Sequence, residues 1–89
     1  MVAYKIEISG KVQGVFFRAF VEKHAKQLNI TGWVKNTPDG KVEILAQGEK
    51  DNINSLIQLC RKGPLLAKVD NLKTKTAKTK KYKEFKIKR

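Results

Sequence analysis

Three features of this 89-residue sequence predict an α+β fold with the element order β-α-β-β-α-β. Apolar residues alternate at the N-terminus, two apolar stripes recur at helical spacing, and Thr37-Pro38-Asp39-Gly40 joins two β-rich runs between the stripes. The length corresponds to a single domain over residues 1–89, large enough to bury a modest core without metal or disulfide staples.

Val2, Tyr4, Ile6 and Ile8 alternate with Ala3, Lys5, Glu7 and Ser9, the pattern of a strand with one face on a core, and this first strand is expected to end near Ser9. Gly10-Lys11-Val12-Gln13-Gly14 then interrupts the regularity. From Phe17 onward Phe17, Phe20, Val21, Ala25 and Leu28 mark the apolar stripe of a helix. Thr31–Asn36 and Lys41–Gln47 form the arms of a hairpin, because Pro38 presets a turn φ and Gly40 permits a positive one. Asp51 and Asn52 offer N-cap oxygens to a second helix carrying Ile53, Leu56, Ile57 and Cys60, which must stop at or before Gly63-Pro64. Ala67–Leu72 and Tyr82–Ile87 supply the remaining strands, with room for an extra C-terminal one. The Lys/Thr-rich stretch between them reads equally as strand or loop. This order is that of the ferredoxin-like split β-α-β sandwich, an antiparallel sheet with two helices on one face.

Composition excludes several chemistries. His24 is the single histidine, Cys60 the single cysteine, and Ser9 and Ser55 the only serines, so neither a Ser-His-Asp site nor a cysteine-based zinc site can be assembled. Cys60 lies on an apolar stripe and is assigned to the core, and His24 to the helix surface or boundary. Asp39, Asp51 and Asp70 show no metal-ligand spacing, and no metal is expected. No apolar run is long enough to span a membrane. The formal charge is +12, and residues 73–89 contribute nine basic side chains against Glu84. That surplus favours anionic partners without identifying one. Two readings of the segment stand: nucleic acid or another polyanion, with Tyr82 and Phe85 interleaved for stacking, or a sheet edge protected by lysines with Phe85 facing the core.

The loop Gly10–Phe17 joins a strand to a helix N-terminus, where unpaired amides and the positive end of the helix dipole favour an anion. Gly14 lets the backbone turn its amides inward. Arg18 stands in the first helical turn, where a cation opposes the dipole unless an anion compensates, and its guanidinium can reach back over the loop. Glycines that merely shape a turn, with a solvated Arg18, explain the same residues. No Walker A or G-x-G-x-x-G pattern is present. Asn36 shares a strand face with Gly32 and Val34 and can hold a water or an anion, although Asn beside a turn is also ordinary turn chemistry.

Gly10-Lys11-Val12-Gln13-Gly14-Val15-Phe16-Phe17-Arg18 resembles the signature loop of the acylphosphatase family, and Gly32-Trp33-Val34-Lys35-Asn36, followed by Gly40, Val42 and Gly48, resembles its second signature. Gly63-Pro64, Ala67, Val69, Phe85 and Ile87 extend the similarity over essentially the whole chain. The resemblance implies a small cytoplasmic enzyme that hydrolyses the carboxyl-phosphate bond of acyl phosphates, with the ferredoxin-like fold. It implies that Arg18 binds the phosphate, that Asn36 orients the attacking water, and that the loop Gln13, Gly14, Val15, Phe16, Phe17 and Arg18 cradles the substrate. No cofactor, metal or covalent intermediate is expected. The expected partners are a small acyl phosphate as substrate and inorganic phosphate as product, with no membrane and the chain acting as a monomer. The lysine-heavy C-terminal third departs from the family pattern.

Overall fold

The chain runs β1 (Val2–Lys11), α1 (Phe17–Gln27), β2 (Thr31–Asn36), β3 (Val42–Gly48), α2 (Lys50–Lys62), β4 (Lys68–Ala77) and β5 (Phe85–Ile87). This computed structural model describes residues 1–88; Arg89, the last residue of the basic segment, lies outside the described residues. The strands form one sheet in the order β4-β1-β3-β2-β5. Both helices pack on one face, over a core that includes Ile6, Ile8, Phe17, Val34, Ile44, Ile53, Leu56 and Phe85. The ferredoxin-like α+β expectation therefore holds. Among the described residues no helix is long and apolar enough to cross a membrane.

The sheet is mixed rather than wholly antiparallel, because β5 pairs parallel to β2 with Gly32 opposite Phe85 and Val34 opposite Ile87. The geometry requires this. β4 runs down one edge and ends beside the start of β1, with Ala3 opposite Ala77. That is also the end where β2 begins, with Thr31 opposite Gln47. A chain crossing from there to the far edge must run alongside β2 in the same direction.

β1 continues past Ser9 to Lys11 through a bulge, in which the pairing steps from Ser9–Asn71 to Gly10–Val69. Only glycine fits there, since a Cβ on Gly10 would lie 2.2 Å from the Lys68 carbonyl oxygen. The bulge bends the strand into the loop that precedes α1. In α2 the N-cap is Glu49 rather than Asp51 or Asn52, and no side-chain oxygen caps the helix. Asp51 sits instead in the first turn, where its charge complements the helix dipole. The helix ends at Lys62, before Gly63, as the Gly-Pro pair demands.

The Lys/Thr-rich stretch divides. Through Ala77 it belongs to β4. Residues 78–84 then cross the sheet face opposite the helices, where Leu45 and Gln47 are buried although they point away from the main core. Gln47 pins this crossing segment with two bonds, its Nε2 donating to the Lys80 carbonyl at 2.6 Å and its Oε1 accepting from the Lys80 amide at 2.8 Å. A buried amide satisfied on both atoms stabilises the strap and fixes its position.

Candidate active site

The cavity between the β1–α1 loop and the ends of β2 and β5 has a volume of about 290 Å³. Its walls include Gly14, Phe16, Phe17, Arg18, Asn36 and Ile87, with Arg18 as the sole charged side chain among them. Three strand-end relationships create it. β1 delivers the loop, β2 ends on Asn36, and β5 ends on Ile87 beside β2.

The loop itself is open backbone. Among the described residues no backbone hydrogen bond starts from an amide between Gln13 and Ala19; the first bond of the helix runs from the Phe20 amide to the Phe16 carbonyl at 3.1 Å. The N-cap position is Phe16, in a left-handed conformation with φ 66°, and no side chain caps α1. Left-handed backbone costs a non-glycine residue about 1–2 kcal/mol, and such strain concentrates at functional sites. Gly14, with φ 72°, takes the same region without that cost. A chain that leaves successive amides unpaired beside a helix N-terminus presents an anion receptacle.

Arg18 lies in the first turn of α1, half-buried. That turn contains no acidic residue, and no ion pair among the described residues involves Arg18. Its charge is therefore available to a ligand. Asn36 faces the core side of β2 with Gly32 and Val34, and its Oδ1 is buried with no hydrogen-bond partner. Leaving such an acceptor unsatisfied costs about 1–3 kcal/mol, which a water or a ligand donor would offset.

Gln13 holds the two halves of the cavity together. Its Nε2 donates to the carbonyls of Thr37 and Lys41, both at 2.8 Å, and so fastens the loop to the β2–β3 turn immediately after Asn36. The turn is braced in its own right: the Thr37 hydroxyl donates to the Asp39 carboxylate, and the Lys41 ammonium lies 3.3 Å from Glu7 and 3.7 Å from Asp39. The Thr37 hydrogen bond, more than the Lys41 charge, holds the exposed Asp39 carboxyl below its ordinary range. Bonds to Glu7 and the charges of both carboxylates push the Lys41 ammonium up.

Of the residues expected from sequence, the cavity gathers Gly14, Phe16, Phe17, Arg18 and Asn36. Val15 turns into the core instead, and the Gln13 side chain is occupied by the turn. Phe85 is buried in the core and unavailable for stacking. His24 is half-buried away from the cavity, its ring 4.5 Å from that of Phe20. Val12, Ala19 and Ile87 also line the cavity and were not anticipated. The alternation of Phe85 and Ile87 hinted at a shared face, but only the parallel docking of β5 brings Ile87 to the loop. Among the described residues no three His, Cys, Asp or Glu side chains gather as metal ligands.

Fold and cavity together place the chain among ferredoxin-like α+β proteins with a small cationic cleft at one end of the sheet. Its family follows from comparison. The family model described as Acylphosphatase matches residues 4–87. An acylphosphatase of Archaeoglobus fulgidus is 41% identical over 87 residues, covering 98% of this chain and 98% of the relative, and one of Methylococcus capsulatus is 42% identical over 81 residues, covering 90% and 88%. The crystal structure of acylphosphatase from Bacillus subtilis superposes with a TM-score of 0.96 at 36% identity, covering 100% of both chains. The chain belongs to the acylphosphatase family.

Proposed function

We propose that the chain hydrolyses the carboxyl-phosphate bond of small acyl phosphates, releasing a carboxylate and inorganic phosphate, with Arg18 and the loop amides holding the phosphoryl group and Asn36 orienting the attacking water. One observation carries the reading: an unpaired guanidinium, a run of unpaired amides and Asn36, whose buried amide oxygen has no partner, line one small cavity.

The chemistry asks for little more. Phosphoryl transfer through a loose transition state is accelerated mainly by positioning and by stabilising charge on the equatorial oxygens. Arg18 can meet two of those oxygens bidentately, and the backbone N–H groups of Gly14 to Arg18 can meet the others. Water attacks phosphorus as the bond to the carboxyl oxygen breaks, and the leaving carboxylate is a stable anion that needs no general acid. Asn36 Oδ1 accepts one hydrogen bond from that water and acts by orientation, since a neutral amide takes no proton. The proton passes to a phosphate oxygen of the substrate itself. No covalent intermediate is required.

The test is turnover of a synthetic aromatic acyl phosphate by the purified protein in excess chelator, with orthophosphate added as competitor. The expected result is stoichiometric release of carboxylate and phosphate, with orthophosphate raising KM and leaving kcat unchanged. No turnover, or turnover insensitive to orthophosphate, would overturn the assignment of the cavity.

A further inference from the structure

The sheet face opposite the helices carries features that hydrolysis does not use. Three adjoining cavities cross it. The central one, about 520 Å³, has Lys5, Trp33, Lys78, Lys80, Tyr82 and Lys88 among its walls. A second, about 340 Å³, shares Trp33, Tyr82 and Lys88 with it and adds Lys81, Lys83 and Lys86. A third, about 320 Å³, shares Lys5 and adds Lys73 and Lys75. The first two share three walls and form one basic track, which the third meets at Lys5.

The acids bordering this track are mostly neutralised. Glu43 lies 3.9 Å from Lys5 and 3.6 Å from Lys35, and Glu7 lies 3.3 Å from Lys41. Among the described residues, the eight lysines from Lys73 to Lys88 enter no ion pair, and Glu84 is the one acid in their segment. Two rings interrupt the charge: Trp33, with the Lys88 ammonium 4.6 Å and the Lys35 ammonium 5.2 Å from its centroid, and Tyr82 on the strap. The strap is held by the paired bonds between Gln47 and the Lys80 backbone, so Lys78, Lys80 and Tyr82 project from a fixed backbone.

We propose that this face binds single-stranded nucleic acid, with phosphates along the lysine track and bases against Trp33 and Tyr82. Charge complementarity selects a polyanion. The length of the track selects a polymer over a mononucleotide, and the rings select a polyanion with exposed planar groups over an acidic peptide or a duplex, whose bases are stacked away. Aromatic side chains on an open four-stranded sheet are also how RRM domains stack bases, an analogy of architecture only. The site is separate from the Arg18 cavity and does not depend on the reading of that cavity.

The test is titration of the full chain with a 12-nucleotide oligouridylate RNA, followed by anisotropy of an end-labelled strand and, with unlabelled strand, by the emission of Trp33, the only tryptophan. Saturable binding with a change in Trp33 emission is expected, weakening with salt by a log–log slope of about 0.7 per phosphate neutralised. Lys78→Glu/Lys80→Glu is expected to weaken binding at least tenfold and flatten that slope by about 1.4, leaving acyl phosphate turnover unchanged. Tyr82→Ala, on the exposed strap, and Trp33→Leu are each expected to weaken it by about five- to hundredfold. Arg18→Ala is expected to bind as the parent does. Absence of saturable binding, binding that leaves Trp33 emission and both aromatic variants unaffected, or equal competition by polyglutamate of the same charge would each overturn the proposal.

Discussion

Gln13 and Thr37 are joined across the cavity: the Gln13 side-chain nitrogen donates to the Thr37 carbonyl at 2.8 Å and, with its second hydrogen, to the Lys41 carbonyl at 2.8 Å. Gln13→Ala removes both bonds that tie the loop to the turn after Asn36, while the Thr37 and Lys41 carbonyls keep the amides of Gly40 and Thr37 as partners. A stability loss of about 1–3 kcal/mol is expected, together with a fall in kcat of about 10–100-fold at little-changed KM. Gln13→Glu, which sets a carboxylate against two carbonyl oxygens, should be worse in both. Melting curves and steady-state kinetics check this. Lost stability with unchanged kcat would make Gln13 a purely structural tie.

Arg18 makes no ion pair within the described residues, so its removal should cost activity and not stability. Arg18→Ala is expected to lower kcat/KM by about 10³–10⁵-fold with an unchanged melting temperature. Arg18→Lys restores the charge but not the two-pronged geometry and should fall between the two. Normal turnover of an acyl phosphate by the alanine variant would remove Arg18 from the mechanism.

Asn36 offers the opposite pairing of effects. Its Oδ1 is buried and unpartnered, so Asn36→Ala relieves a desolvated acceptor, and the melting temperature should hold or rise. Activity should nevertheless drop by about 10²–10³-fold, mostly in kcat, because one preorganised polar group is lost. A change confined to KM would make Asn36 a binding residue rather than a water-orienting one.

Much of this arrangement was legible in the sequence because it is written in local patterns. The alternation of Val2 to Ile8, the helical stripe from Phe17 and the Pro38-Asp39-Gly40 turn each act over a few residues, and they specify the order of elements without any tertiary contact. The juxtaposition of Arg18 with Asn36 followed once the loop and the end of β2 were placed by family resemblance. What escaped was non-local. The tie from Gln13 to Thr37 spans 24 positions and that from Gln47 to Lys80 spans 33, with no periodic signature to announce either. Phe16 gave no warning of its left-handed backbone, since bulky residues avoid it and only the surrounding loop imposes it. The parallel docking of β5 depends on where β4 ends, and β4 ends inside a Lys/Thr run whose composition suits strand and loop alike.

Cys60 gives a prediction that the cavity does not influence. It is buried on α2 among apolar neighbours, and burial alone pushes its thiol from an ordinary 9.0 up to about 12. The native thiol should therefore stay inert to thiol reagents at pH 8 and react only as the chain unfolds. Between pH 9 and 12 the unfolded chain loses this proton while the folded chain keeps it. Protons bound in the unfolded state are then fewer, and stability must decline with rising pH in that window, by a slope approaching about 1.4 kcal/mol per pH unit. The lysines titrate over the same range, so the informative quantity is the difference between the parent and Cys60→Ala. That difference should be constant below pH 8 and shrink from pH 9 upward, because the alanine variant has no thiolate to release on unfolding. Denaturant titrations at several pH values check it, and a difference that stays constant to pH 11 would show that the thiol ionises as readily in the fold as out of it.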